Sequence, residues 1–206
     1  LSSDDFEIKV KDALEDQSSK TKFEGSFQRI SGQRFPDIIS KQRCGFGVEV
    51  KKVSSDKWET IGNSIMEGNR VENITSVYLF FGKLADPIDF KFRKYEECIR
   101  TIKISHSPRY YIDMNIDSST TLFNKLDISY DQFRKLDNPF SHVREHLKSE
   151  CKNTQRDIWW YDQTDTEGKD LTIQLWGSLD RNTKDMLINQ IMALFPEIFS
   201  NKQNKY

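Results

Sequence analysis

The spacing of apolar residues at the start of the chain predicts an amphipathic helix. The residues that recur at helical spacing are Phe6, Val10, Ala13 and Leu14. Serine and acidic residues at positions 2–7 suit a helix N-terminus, where side-chain oxygens accept from free N–H groups and negative charge complements the helix dipole. The apolar stripe indicates that this helix packs against a sheet.

Residues 34–53 predict a β-hairpin. The apolar residues on the two sides of a turn near Arg43 are Phe35, Ile38, Ile39, Val48 and Val50. Glycines at 45 and 47 supply the backbone freedom that a reversal requires. Because strand side chains alternate between faces, Glu49 and Lys51 share the face opposite to the valines. Antiparallel pairing about this turn places Asp37 opposite or nearly opposite Glu49.

The apolar pattern after the hairpin predicts further helices and strands, which together give a mixed α/β domain. Trp58, Ile61, Ile65 and Met66 indicate a helix at residues 57–67, which would cross over to a buried strand at 76–82. The later predicted elements are strands at 89–95 and 110–116, two short helices at 120–136, a second hairpin at 157–176 and a helix at 182–195. The predicted fold is a mixed central β-sheet flanked by helices, with an additional β-hairpin and a C-terminal helix, in a single domain of residues 1–206.

Composition limits the classes of protein that this fold can belong to. The 31 Lys and Arg residues nearly balance the 32 Asp and Glu residues, so net charge does not indicate a nucleic-acid binder. The three cysteines show no zinc-ligand or disulfide spacing, which is typical of a reduced cytoplasmic protein. No run of about 18 apolar residues exists, so no membrane association is expected.

The pairing of Asp37 with Glu49 predicts a metal site. Directly opposed residues on antiparallel strands have Cβ atoms about 4.5–5.5 Å apart, so two carboxylates there repel each other. A divalent cation between them removes the repulsion, and carboxylate oxygens are ligands for such cations.

These residues resemble the signature of the PD-(D/E)XK nuclease superfamily, which includes most type II restriction endonucleases. The match consists of Pro36-Asp37, a spacer, and Glu49-Val50-Lys51. The resemblance implies a restriction-endonuclease-like fold and a phosphodiesterase in which Asp37 and Glu49 bind Mg²⁺, for which Mn²⁺ can substitute, and Lys51 positions or activates the attacking water. In this arrangement the backbone carbonyl of Val50 completes the metal coordination.

Two further groups of residues are candidates once a nuclease is considered. Members of the superfamily often carry another glutamate on the helix before the hairpin, and Glu7 is the matching position here. The candidate DNA-binding residues carry basic, amide or hydroxyl side chains and follow the hairpin or alternate with aromatics: Lys52, Lys57, Asn63, Ser64, Lys91, Arg93 and Arg109. Residues 1–116 would then form the catalytic core, and residues 117–206 would serve DNA recognition or dimerisation.

The leading hypothesis is a Mg²⁺-dependent endonuclease of double-stranded DNA, of the type II restriction class, acting as a homodimer because both strands of a palindrome must be cut. A repair or recombination nuclease is an alternative within the class. Outside it, the hairpin could belong to a DNA-binding or protein-binding module without chemistry, with Glu49 and Lys51 as a surface ion pair. Acyl transfer through Cys44 and a zinc site at His142 and His146 have little support in the sequence.

Overall fold

A computed structural model describes residues 2–32, 34–41, 45–104, 108–139, 142–143, 146 and 179–194. They belong to two compact units, Leu1–Tyr161 and Asp162–Tyr206. In the second unit the described element is a helix, Arg181–Leu194, close to the bounds predicted from its amphipathic pattern. The predicted hairpin at 157–176 lies outside the described residues, as do Cys44, Cys151 and most of residues 140–150.

The first unit contains eight strands, three α-helices with described bounds, and further helical residues at 139, 142–143 and 146. The strands are β1 (Phe27–Arg29), β2 (Ile38–Ser40), β3 (Phe46–Val53), β4 (Glu59–Ser64), β5 (Ser76–Lys83), β6 (Asp89–Lys94), β7 (Ile99–Ile104) and β8 (Pro108–Asp113). The helices are α1 (Ser3–Ser18), α2 (Leu122–Lys125) and α3 (Tyr130–Phe133), and the helix of the second unit is α4. Two 3-10 turns, Glu96–Cys98 and Ser118–Thr120, complete the set.

The central sheet is mixed, as predicted. Its order is β1-β2-β3-β5-β6, and β3 and β5 run parallel while the other neighbours are antiparallel. A second, antiparallel sheet has the order β4-β8-β7. The mixed α/β class is therefore confirmed.

Helix α1 covers one face of the central sheet. A capping box between Ser2 and Asp5 starts the helix. The core on this side is built from one buried cluster: Phe6, Val10, Phe27, Ile38, Val48 and Val50. Since burying a side chain of this size contributes about 1.5–3 kcal/mol, this face holds the hairpin and the helix together.

The opposite face of the central sheet packs against the second sheet rather than against a helix. Leu79 and Phe81 of β5 are fully buried there. Phe81 lies 5.7 Å from the ring of Trp58, measured between ring centroids. Tyr95, just after β6, packs on Phe35 and Tyr110 with centroid distances of 5.0 and 6.2 Å. Among the described helices, α1 alone flanks the central sheet, on one face, and the strands of the second sheet close the other face, so the predicted flanking by helices holds on one side only.

The helix predicted at residues 57–67 is wrong, and so is the helical crossover that it was to form. Residues Glu59–Ser64 are strand β4, which pairs antiparallel with β8. Gly62 packs so closely that an added Cβ would lie 2.7 Å from the hydroxyl of Tyr95. Short apolar runs are ambiguous between the two periods, and here pairing with a strand some 50 residues later decides the structure.

Other local predictions are confirmed. Strands form at 76–83, 89–94 and 108–113, and two short helices occupy the segment predicted for them. Cys98 is buried and carries a free thiol. Within the described ranges, no helix has both the length and the apolar character that crossing a bilayer requires.

Candidate active site

The hairpin brings Asp37 and Glu49 together. Ile38 pairs with Val48 and Ile39 with Gly47. Continuing this antiparallel register by one residue places Asp37 opposite Glu49, the arrangement expected from the sequence. The apolar partners Ile38, Val48 and Val50 are in the cluster under α1. The two acids therefore meet at the start of β2, on the sheet face that carries Lys51.

Pro36 explains why the Asp37 carboxylate turns towards β3. The pairing of β2 with β3 begins at Ile38, and Pro36 lies outside it because proline has no N–H with which to continue the ladder. The Val50 N–H instead donates to Asp37 Oδ2 at 2.8 Å. Pro36 also packs over Gly47, where an added Cβ would lie 2.3 Å from Pro36 Cγ. The proline thus ends the pairing, and its close contact with Gly47 fixes the chain next to Asp37.

The Glu49 carboxylate is buried and only partly satisfied. Lys51 Nζ lies 2.5 Å from Glu49 Oε1. Glu49 is only 4% exposed, and its Oε2 has no hydrogen-bond partner among the described residues. A buried polar atom without a partner costs about 1–3 kcal/mol. Oxygen Oε2 is therefore the unsatisfied atom of this carboxylate and a candidate cation ligand.

The charges at the site shift the pKa values of the two best-placed groups. Burial and the neighbouring charge of Glu49 raise the pKa of Asp37 to about 7, although Lys51 and the Val50 N–H oppose the shift. Burial lowers the pKa of Lys51, but the charges of Glu49 and Asp37 outweigh this and the net pKa is raised. Lys51 is therefore an ammonium ion at neutral pH, and the carboxylate pair holds excess negative potential that a cation would neutralise.

Glu7 lies close enough to the site for electrostatic coupling with Asp37 and Lys51: the Asp37 charge affects the pKa of Glu7, and the Glu7 charge affects the pKa of Lys51. Burial raises the pKa of Glu7, the Arg29 guanidinium opposes this, and the Asp37 charge adds to the increase. Arg29 Nε donates to Glu7 Oε2 at 2.8 Å, and its Nη2 donates to Asp4 Oδ1 at 2.6 Å. Arg29 was missed by the sequence reasoning, because its pairing depends on how α1 packs on β1.

The residues present fit a magnesium ion. The N–H and C=O of one strand residue point to the same side, so the Val50 carbonyl faces the side from which Asp37 approaches. Mg²⁺ commonly takes one or two protein carboxylates and fills its other positions with water or phosphate oxygens. Within the described residues no group of three or more His, Cys, Asp or Glu side chains is arranged for a metal. The candidate donors are the carboxylates of Asp37 and Glu49 and the Val50 carbonyl, a small protein ligand set of the kind that Mg²⁺ takes.

The predicted DNA-binding residues divide between the two faces of the sheet. Lys91 pairs with Phe81, and Phe81 pairs with Lys51. Lys91 therefore lies on the face of the central sheet that carries Glu49 and Lys51, called the site face below. Arg93 lies on the same face, but its guanidinium donates to the carbonyls of Met114 and Ile116 at 3.2 and 2.8 Å. Lys52 alternates with Lys51 and lies on the α1 face, away from Glu49. Lys57 is exposed in the loop after β3.

Asn63, Ser64 and Arg109 lie in the second sheet. The Asn63 N–H donates to the Tyr95 hydroxyl at 3.0 Å. Ser64 pairs with Arg109, whose Nε is buried without a hydrogen-bond partner among the described residues. Burial, with a contribution from the Glu49 charge, raises the pKa of Tyr95 well above its usual value. Tyr95 therefore interacts with both the second sheet, through Asn63, and the charge of Glu49 in the site. No sequence pattern marked it as a site residue.

Neither a scan against protein-family models nor searches of curated proteins and of solved structures find a match for this chain. The resemblance to PD-(D/E)XK nucleases consequently rests on the motif residues and their geometry.

The raised pKa of Asp37 predicts an unusual pH dependence of stability. With a pKa of about 7 in the folded state and 3.8 as the ordinary value, the folded protein holds this proton more tightly. The stabilisation is complete below pH 3.8 and is lost as pH rises through 7, a change of at most about 4 kcal/mol. Metal-free protein should therefore lose stability between pH 4 and 7, measured by urea unfolding.

Asp37→Asn should remove this slope, because asparagine does not titrate. Asp16→Asn, at an exposed position of α1, is the matched control and should keep the slope. Equal pH profiles for wild type and Asp37→Asn would contradict the assignment.

Proposed function

We propose that this protein is a Mg²⁺-dependent phosphodiesterase. The observation that carries the proposal is the convergence of Asp37 and Glu49 from neighbouring strands, with Lys51 Nζ 2.5 Å from Glu49 and Oε2 of Glu49 buried without a donor. Within that class, the motif resemblance favours an endonuclease of double-stranded DNA, of the type II restriction kind.

Each residue of the site has a separate task. Asp37, Glu49 and the Val50 carbonyl would hold Mg²⁺, which when bound neutralises phosphate charge and lowers the pKa of a coordinated water. The Val50 N–H keeps the Asp37 carboxylate in its place at 2.8 Å. Asp37, whose pKa is about 7 without metal, would be ionised beside a cation.

Lys51 acts as a cation in this proposal. Its raised pKa means that it carries its proton at neutral pH, so it cannot accept one from water. Its ion pair with Glu49 fixes the ammonium beside the metal ligands. From there it would donate hydrogen bonds to the attacking water and to a phosphate oxygen, where negative charge increases in the transition state.

Double-stranded DNA as the substrate is supported by the motif and by the basic residue Lys91 on the site face. Cutting both strands requires two active sites, so a homodimer remains part of the proposal.

A cleavage assay tests the proposed function. Purified protein is incubated with plasmid DNA and with a pool of random duplexes, in Mg²⁺, in Mn²⁺ or in excess chelator. We expect nicked and linear products with either metal and none with chelator. Absence of cleavage from every duplex in the pool would reject the proposal. Metal-independent DNA binding that survives Glu49→Gln would favour a module without chemistry instead.

A further inference from the structure

A row of side chains extends from Lys51 across the site face of the central sheet. Lys51 of β3 pairs with Phe81 of β5, and Phe81 pairs with Lys91 of β6. All three side chains therefore project to the same face. Strands lie about 4.8 Å apart, so the backbone positions of Lys51 and Lys91 are separated by roughly 10 Å. A DNA strand carries one phosphate per about 3.4 Å of duplex axis, so two lysines at this separation can contact different phosphates of one strand.

Trp58 contacts Lys91, the last residue of this row. Its ring lies over Phe81, with 5.7 Å between ring centroids. Lys91 Nζ lies 4.3 Å from the centre of the indole ring and also donates to Asn115 Oδ1. A cation over an aromatic face gains about 0.5–1 kcal/mol at an exposed site. The indole and the amide thus restrict the Lys91 ammonium to one position, although its side chain is long and flexible.

The neighbouring lysine differs in its charge balance. Lys83 Nζ lies 5.7 Å from the same indole ring, but it is buried and paired with Asp56 at 2.6 Å. Its charge is therefore compensated. Lys91 has a neutral amide and a neutral ring as its partners, so its positive charge remains available to an anion.

We infer that Lys91, oriented by Trp58, binds a backbone phosphate of the same DNA strand whose scissile phosphate lies at Lys51. This inference rests on the proposed function and names the course of the substrate: from Lys51 past Trp58, which covers the buried Phe81 of β5, to Lys91. Lys91 covers the Trp58 ring, which leaves that ring face closed to a base, so the contact is to the phosphate backbone. Trp58 is a positioning residue that acts through Lys91.

The test measures binding of a fluorescent duplex by anisotropy, in Ca²⁺ and at several salt concentrations, with the DNA checked for integrity on a gel. Lys91→Ala should weaken binding roughly three- to tenfold and reduce the slope of log affinity against log salt by about 1. Lys94→Ala is the matched control, because Lys94 is an exposed lysine on the other face of the same strand. It should keep the wild-type slope.

Trp58 is tested through its coupling to Lys91. Trp58→Leu should weaken DNA binding when Lys91 is present but have little further effect in the Lys91→Ala background. The effects of the two substitutions on affinity are then not additive, which a merely structural role of Trp58 would not produce. Trp58→Phe retains an aromatic face, should preserve most of the affinity, and serves if the leucine variant does not fold.

The outcomes separate this inference from the proposed function. Wild-type protein that cuts DNA while Lys91→Ala binds with the affinity and salt slope of Lys94→Ala would overturn the inference alone. Wild-type protein that neither binds nor cuts any duplex would overturn both.

Discussion

Replacing Lys51 with methionine is expected to reduce the rate of Mg²⁺-dependent DNA cleavage by roughly 10²–10³-fold, the typical cost of removing one preorganised donor from a transition state. Lys51 is held 2.5 Å from Glu49 and is protonated, so methionine removes a fixed positive charge with little change in volume. Single-turnover cleavage of a plasmid at saturating Mg²⁺ measures the effect. Glu49→Gln should reduce the rate at least as much, because it removes a metal ligand.

The two variants should differ in their response to metal. Lys51→Met should lower the maximal rate, whereas Glu49→Gln should also raise the Mg²⁺ concentration needed for half-maximal rate. Lys9→Met, at an exposed position on α1, is the control and should cleave like wild type. Unchanged cleavage by Lys51→Met would show that the site does not work as proposed.

Arg70→Ala is expected to lower the free energy of unfolding by about 3–5 kcal/mol, the usual cost of breaking a buried ion pair by removing one partner. Arg70 Nη1 donates to Glu67 Oε2 at 2.6 Å and to the Tyr130 hydroxyl at 2.9 Å. Its other nitrogens donate to the carbonyl of Ile74 at 3.0 and 3.3 Å. The side chains of Arg70 and Glu67 are 9% and 4% exposed, so alanine would leave a buried carboxylate without its cation.

This cluster also supports the active site. The Phe35 N–H donates to the Asn69 carbonyl at 3.1 Å, and the Val71 N–H donates to the Phe35 carbonyl at 2.8 Å. Asp37 follows two residues after Phe35. The ion pair therefore anchors the backbone from which Asp37 reaches β3, and its loss should reduce cleavage as well as stability.

Urea unfolding measures the change, and a double variant provides the control. Glu67→Gln combined with Arg70→Met leaves no buried charge, so it should recover a large part of the lost stability. A double variant as unstable as Arg70→Ala would mean that packing, and not the unpaired charge, accounts for the loss.

Residues near each other in the chain account for most of the successful predictions. The strand period places Glu49 and Lys51 on one face, and a single turn brings Asp37 opposite Glu49. The same alternation puts Lys52 on the α1 face, although its closeness to the motif along the chain had made it a DNA-binding candidate. Lys91 shares a face with Lys51 only because β5 lies between their strands, an order that no local pattern contains.

The failures and omissions involve partners far apart in sequence. Arg29 binds Glu7 across 22 residues, and Tyr130 meets Glu67 across 63. The segment predicted as a helix contains strand β4, which is stabilised by its pairing with β8.

The sequence by itself determined the hairpin, its two opposed acids and the neighbouring lysine, because side-chain alternation and turn chemistry act over a few residues. Only the tertiary structure decided that Glu49 is buried with an unpartnered oxygen, that Arg29 pairs with Glu7, that Tyr95 lies near Glu49, and that Lys91 lies over the Trp58 ring. Burial and charge proximity depend on which distant strands pack together, and neither the periodicity nor the composition of the chain encodes that choice locally.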